Sequence, residues 1–242
     1  MKLNVRQAAR VLSVSESEIY RWVESGEIPC LMVKHQPLFG RAELLEWATA
    51  RRLPVSLELF EHGDDGGASL RLADVLQRGG VYHDVPGIDR ASVLRAIVER
   101  LPLGEDDDTD LLLQILLARE STGSSGIGEG IAIPHVRSPL VFPGMEAIAT
   151  LSYLASPIPF DAVDGKPVHT VFTLVSPTIR GHLQLLARLS AALLDAGFKA
   201  AVLRRAGRDE ILAEARRVEA ALAHKHEAQG RAVSAGSGSD GE

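Results

Sequence analysis

Arg119-Glu120-Ser121-Thr122-Gly123-Ser124-Ser125-Gly126-Ile127-Gly128-Glu129-Gly130-Ile131-Ala132-Ile133-Pro134-His135 is the stretch that decides how this chain is read. A helix closes near Arg119, glycines turn the chain, and a short apolar strand, 131–133, delivers His135 behind a stiff Pro134. Imidazole titrates near neutrality and is a capable nucleophile toward phosphorus. The Arg119 guanidinium suits phosphate. A second histidine, His182, follows Thr178-Ile179-Arg180-Gly181 at the start of a strongly apolar helix with Leu183, Leu185, Leu186 and Leu189. A helix N-terminus offers free amides and a positive dipole end, which together favour an anion. Singly, each feature has a plain structural reading: a histidine beside a loop is usually structural, and Gly123, Gly126, Gly128 and Gly130 make turns.

The surroundings read as an α/β domain of helices packed on a mixed sheet. Helices are predicted over 72–77, from the Asp89 cap through Leu101, over 109–121, and at about 180–195 and 209–223. Strands are predicted at 81–82, 131–133, 147–154 and 168–175. The helix from Thr109 is apolar almost all round, which predicts deep packing. Asp106-Asp107-Asp108 reads as its acidic start, favourable with the helix dipole. Among the other histidines, His169 falls inside a strand and His83 beside Asp84 at the surface. His62 lies in a polar stretch, and His224-Lys225-His226 sits at the boundary of a tail.

Composition sets the class. The chain has 242 residues, 45% hydrophobic and 24% charged, with a formal net charge of −6. These are ordinary globular values. A lone cysteine, Cys30, excludes an internal disulfide or a cysteine-rich zinc site. The apolar run 111–117 is broken by Gln114, far short of the roughly 20 residues of a membrane span, and the first residues have no secretory core. A cytoplasmic protein without a membrane segment is expected.

The charge is unevenly spread. Residues 1–56 hold eight Lys and Arg against six Asp and Glu, a net of +2, and the rest carries −8. The polar, glycine-rich 57–69 reads as a flexible linker, and 224–242 as a disordered tail. Its Gly236-Ser237-Gly238-Ser239-Asp240-Gly241 matches the dinucleotide fingerprint in letters only, since no strand precedes it and no helix follows. The expected organisation is thus a head (1–56), a linker, a body (70–223) and a tail.

In the head, Asn4 caps a helix over 5–12, and Ser15-Glu16-Ser17-Glu18 forms a capping box for a second helix that stops at Gly26. Ile19, Trp22 and Val23 form its buried face, leaving Ser17, Tyr20 and Arg21 outside. Lys34-His35-Gln36-Pro37 makes a small wing, and a last helix, 41–49, packs Leu44, Leu45 and Trp47. Two helices joined by a short turn have helix-turn-helix geometry. Residues 5–15, 19–29 and Leu44-Leu45-Glu46-Trp47 resemble excisionase-type modules of the MerR-like winged helix-turn-helix group. That resemblance implies DNA binding, with helix 15–25 (Ser15, Ser17, Tyr20, Arg21) in the major groove and the wing (Lys34, His35) on the backbone. The wing lacks the family's Gly-Gly turn and following Arg. One Arg beside three Glu in the reading helix gives a single head weak affinity; a homodimer with two heads would raise it.

In the body, Arg119-Glu120, Thr122-Gly123, 128–135 and His182-Leu183-Gln184-Leu185-Leu186 resemble the type 2 EIIA domain of the sugar phosphotransferase system, in its mannitol, fructose and nitrogen-regulatory branches. The resemblance implies that His135 is phosphorylated by an HPr-type phosphocarrier protein, that His182 orients His135 or its phosphoryl group, and that Arg119 balances phosphoryl charge. It needs no metal, nucleotide or other cofactor, because the donor is another protein's phosphohistidine. It also requires the His135 ring to be reachable by that donor and close to Arg119 and His182. The expected function is a phosphotransferase-linked regulator with a DNA-binding head, at most one component of a protein-histidine phosphoryl relay. Phosphorylation adds about 1.5 to 2 negative charges, which would repel DNA or change the head–body contact. Two other readings stay open: a relay passing phosphate to a separate sugar-specific partner, and a phosphorylation-dependent protein-interaction regulator that touches no DNA.

Overall fold

The computed structural model describes residues 2–56, 70–104, 108–136 and 146–236, with side chains to residue 224. The stretch read as a linker, 57–69 with His62, lies outside the described residues, as do Asp106 and Asp107.

The head comprises β1 (Lys2–Leu3), α1 (Val5–Leu12), α2 (Glu16–Glu24), β2 (Leu31–Val33), β3 (Gln36–Gly40) and α3 (Arg41–Ala50). Asn4 and Gln7 make a reciprocal capping box that starts α1. At α2 only half of the expected box forms. Ser15 Oγ accepts from the Glu18 amide at 3.2 Å, but the Glu18 carboxylate pairs instead with Arg21 one turn on. The opposite charge within reach takes the side chain that would have turned back to the cap. The wing is the β2–β3 hairpin. Its two turn residues, Lys34 and His35, both have positive φ (48° and 65°), as expected of a two-residue turn whose twist matches the strands. Ile19, Leu44 and Leu45 are fully buried, and Trp22 packs edge-on to Trp47 at 5.0 Å.

The body contains α4 (Leu72–Gly79), β4 (Val81–Val85), α5 (Arg90–Val98), α6 (Thr109–Ser121), β5 (Gly126–Gly128), β6 (Ile131–Ala132), β7 (Ile148–Ile158), β8 (Val168–Val175), α7 (Ile179–Leu194), α8 (Ala196–Leu203) and α9 (Arg208–Gly236). The sheet order is β4-β7-β8-β6-β5. β4 runs parallel to β7 and β6 parallel to β8, while the β7–β8 and β5–β6 pairs are antiparallel. The sheet is therefore mixed.

Strand alternation sorts the side chains between two helical layers. Ile131, Ile133, Phe172 and Leu174 share a core with α4, α7, α8 and α9. Ala132 and Val171 face α5, and Val175 packs with α6. Buried Glu219 of α9 receives the Leu72 amide and pairs with Arg188, so one carboxylate caps α4 and ties two helices together.

Several elements depart from the sequence reading. α6 is not buried all round: Leu112, Leu113 and Leu116 are buried, but Leu111 is 46% exposed. It occupies an outer layer, so one flank meets solvent. α5 ends at Val98, three residues before the expected Leu101. The glycine run forms an edge strand, β5, and α8 follows α7 directly, started by Asp195, whose side chain accepts from the Phe198 amide. The expected tail, from 224, continues as α9 to Gly236. Lys225, Glu227, Ala228, Gln229, Arg231, Ala232 and Ala235 are good helix formers, so low apolar content does not end the helix. Residues 237–242 lie outside the described residues. No described helix is long and apolar enough to cross a membrane.

α4 meets the sheet at Gly79, where an added Cβ would stand 2.1 Å from the Ala149 carbonyl oxygen. Backbone cannot yield there as a flexible side chain can. Gly79→Ala is expected to destabilise the protein by about 1–3 kcal/mol, read as a lower urea midpoint at unchanged slope.

Candidate functional site

Alternation along β6 explains how the two histidines meet. Positions 131, 133 and 135 project to one side of the sheet, the side on which α7 lies. His135 bridges to Leu174 of β8, and the Leu174 amide donates to the Pro134 carbonyl at 3.2 Å. α7 starts at Thr178, whose hydroxyl accepts from the Gly181 amide at 3.0 Å. This cap sets His182 in the first turn, over His135. The rings stack at 5.0 Å between centroids, inclined by 28°.

The ring nitrogens of His135 have different partners. Nδ1 lies 2.7 Å from the Ile133 carbonyl, which can only accept, so Nδ1 carries a proton. That bond fixes the ring orientation and turns Nε2 toward Arg119. Arg119, in the last turn of α6, donates from one terminal nitrogen to the Gly123 carbonyl at 2.8 Å, which ties it to the loop entering β5. Its Nε–H is buried without a partner among the described residues, as is the Ser125 hydroxyl nearby. Arg119, His135 and His182, named separately from the sequence, are thus brought together.

The expected accessibility of His135 is not met. The ring is 2% exposed and His182 3%. The covering element is α3 of the head, and the group seated in the site is the Glu46 carboxylate. Its Oε2 takes the second terminal nitrogen of Arg119 at 2.6 Å, and its Oε1 lies 2.9 Å from His135 Nε2. Sequence reading quoted Glu46 without assigning it a role. Its available signal was its place between buried Leu45 and half-buried Trp47, where a carboxylate needs a cationic partner.

The same seam holds further contacts. Thr49 meets Ser190 of α7, and Arg52 pairs with Glu129 at 2.7 Å. Glu129, also paired with Lys199 of α8, is held below the usual carboxylate range, first by the Lys199 bond and then by the Arg52 charge. Leu44, Leu45 and Ala48 join one apolar core with Leu186 and Leu189. A cavity of about 260 Å³ opens beside the contact, lined by Glu43, Trp47, Arg119, Ser125 and His135 among others.

The groups expected to meet DNA lie elsewhere on the head. Ser15, Ser17, Tyr20 and Arg21 of α2 and its cap are exposed, as are Lys34 and His35 of the wing, while α3 faces the body. His169 is half-buried on β8 against Thr170, and burial lowers its pKa. His83 is exposed on β4. No group of three or more His, Cys, Asp or Glu among the described residues could hold a metal ion.

Comparison with known proteins agrees with this architecture. Residues 75–216 match the family described as phosphoenolpyruvate-dependent sugar phosphotransferase system, EIIA 2, and residues 3–52 match a helix-turn-helix domain. A nitrogen regulatory protein of Pseudomonas aeruginosa is 38% identical over 133 residues, covering 52% of this chain and 81% of that protein. The nitrogen regulatory protein of Escherichia coli K12 is 33% identical over 129 residues, covering 52% and 78%. The crystal structure of nitrogen regulatory protein IIA-Ntr from Neisseria meningitidis superposes with a TM-score of 0.52 at 26% identity, covering 60% of this chain and 98% of that one. The chain belongs to the EIIA 2 family of the phosphoenolpyruvate-dependent sugar phosphotransferase system, and it carries a helix-turn-helix domain at its N-terminal end.

Proposed function

We propose that this protein is a phosphotransferase-linked regulator whose body accepts a phosphoryl group on His135 from an HPr-type phosphocarrier and whose head binds DNA. The observation that carries the reading is the convergence of Arg119 and His135 on one anion, the Glu46 carboxylate, with His182 stacked on the His135 ring. A seat that holds a carboxylate between a guanidinium and an imidazole suits a phosphoryl group.

In the transfer, the P–N bond of the carrier's phosphohistidine breaks as a P–N bond to His135 Nε2 forms. The Nε2 lone pair, available because the ring proton sits on Nδ1, makes the new bond, and the electron pair of the broken bond returns to the carrier's ring nitrogen. Nδ1 keeps its proton on the Ile133 carbonyl, which stabilises the ring as charge shifts. The flat contact with His182 restricts rotation of the acceptor ring. Arg119 meets the incoming negative charge, with its Nε–H and the Ser125 hydroxyl as further donors. The carrier makes the cytoplasm the working compartment.

The DNA reading is supported by geometry of the head: its reading helix and wing are exposed while a different helix docks on the body. One head offers few cations, so strong salt dependence is expected.

Incubation to completion with labelled phosphoenolpyruvate, Enzyme I and HPr tests the body. The wild-type chain is expected to take acid-labile label and His135→Ala none. Arg119→Lys should label about tenfold more slowly, a barrier increase of roughly 1.4 kcal/mol, because an ammonium cannot serve Gly123 and a phosphoryl group in a fixed fork. A wild-type chain as unlabelled as His135→Ala overturns the reading.

Gel shift against a promoter pool at low salt tests the head. Arg21→Ala and Lys34→Ala should each weaken binding and reduce the salt slope by about one. No shift for the intact chain, with or without prior phosphorylation, would favour a relay or protein-interaction role.

A further inference from the structure

Among the described contacts at the seam, Glu46 is where the head reaches the atoms of the acceptor site. Its side chain is 14% exposed, Arg119's is 9% and that of His135 is 3%. We propose that Glu46 is an internal stand-in for the phosphoryl group. Docking of the head and phosphorylation of His135 are then mutually exclusive, so a phosphoryl group on the body drives the head off. The inference rests on His135 being the phosphoryl acceptor.

Three observations support the exclusion. The first is steric. Oε1 of Glu46 lies 2.9 Å from His135 Nε2, in the space that the oxygens of a phosphoryl group bonded to Nε2 would fill. The second concerns the proton. The Ile133 carbonyl takes the Nδ1–H, which leaves Nε2 as the nitrogen whose lone pair must reach phosphorus, and the hydrogen bond with Glu46 Oε1 engages that same nitrogen. The docked carboxylate therefore occupies the nucleophile's lone pair as well as its space. The third is charge. A phosphoryl group brings about 1.5 to 2 negative charges into a seat that already holds the Glu46 carboxylate on Arg119. A carboxylate kept beside it would be repelled in a nearly dry environment, where such repulsion is strong.

Access points the same way. α3 lies across the face where His135 Nε2 points, and it packs on α7 and β5. A phosphocarrier must bring its own histidine to that face, so it and the head compete for one surface. The remaining seam, Thr49 with Ser190, Arg52 with Glu129, and the Leu45–Leu186 core, holds the head in register. These contacts are indifferent to phosphate, whereas Glu46 is in direct opposition to it.

The test measures initial rates of label transfer from phosphoenolpyruvate through Enzyme I and HPr to the full chain. It compares wild type, Glu46→Gln, Glu46→Ala and the charge control Glu24→Gln, an exposed position on α2. Both Glu46 variants should label roughly tenfold or more faster than wild type, a ratio worth about 1.4 kcal/mol per decade, and Glu24→Gln at the wild-type rate. Glu46→Gln keeps the side chain's shape should the alanine variant fold poorly. Amide exchange across residues 41–50 supplies a second readout. It should quicken in wild type on phosphorylation, and be quick in Glu46→Ala without it. Equal labelling rates, or exchange in 41–50 unchanged by phosphorylation, would overturn the competition while leaving His135 as acceptor. Absence of label in wild type and both Glu46 variants would overturn the acceptor assignment and the competition with it.

Discussion

A carboxylate taken out of water between a guanidinium and an imidazole organises this molecule. Moving Glu46, Arg119 and His135 into a nearly dry seam costs several kcal/mol per ion, and their attraction repays this only with good geometry. The geometry is good here, since each oxygen of Glu46 has its own donor. Such a contact adds little net stability compared with an apolar pair. It defines one orientation, because sliding α3 by a turn would break the bonds of Glu46 to both Arg119 and His135. The apolar seam supplies adhesion and the ionic contact supplies register.

α7 carries this arrangement. Its first turn presents His182 to His135, its middle packs Leu186 and Leu189 beneath the sheet and the head together, and Ser190 meets Thr49. A rigid helix with eleven buried residues links the position of His135 to that of the head without a hinge. β6 is the complementary part. It is short, yet its pairing with β8 and the Gly130 turn (φ 75°, against His169) set the parity that sends position 135 toward α7. A one-residue slip would send His135 to the opposite layer.

The parts legible in the sequence were those that local rules govern. Caps at Asn4, Ser15 and Asp89 mark helix starts because their oxygens reach amides two or three residues on. The string from Gly128 to His135 announces its strand because alternation and positive-φ glycines act within a few residues. What escaped was non-local or compositional. The β5 strand exists only through pairing with β6, and glycine has no strand propensity to advertise it. α8 follows α7 with one intervening residue, Asp195, and its eight residues are too short a run to stand out by periodicity. The continuation of α9 is hidden by reading polarity as disorder. Glu46 escaped most completely: its partners lie 73 and 89 residues away, and an acidic residue on a small helix-turn-helix head looks like solvated surface.

Coupling between two sites depends on the difference between states, not on the strength of either. In the proposed switch Arg119 is neutralised in both states, by carboxylate before phosphorylation and by phosphoryl oxygens after it, so its pairing largely cancels. What differs is the Glu46–His135 bond, present in one state and replaced by repulsion in the other. A hydrogen bond to a charged group contributes about 1.5–3 kcal/mol, and a complete reversal of a two-state equilibrium needs about 5.5 kcal/mol. The lost bond alone gives a partial release. Repulsion inside the seam can supply the remainder, whereas the same charges in open solvent would be screened within about 10 Å. Burial of His135 would therefore serve the proposed switch twice, shielding the ring from a donor while the head is docked and letting a phosphoryl group there move the head.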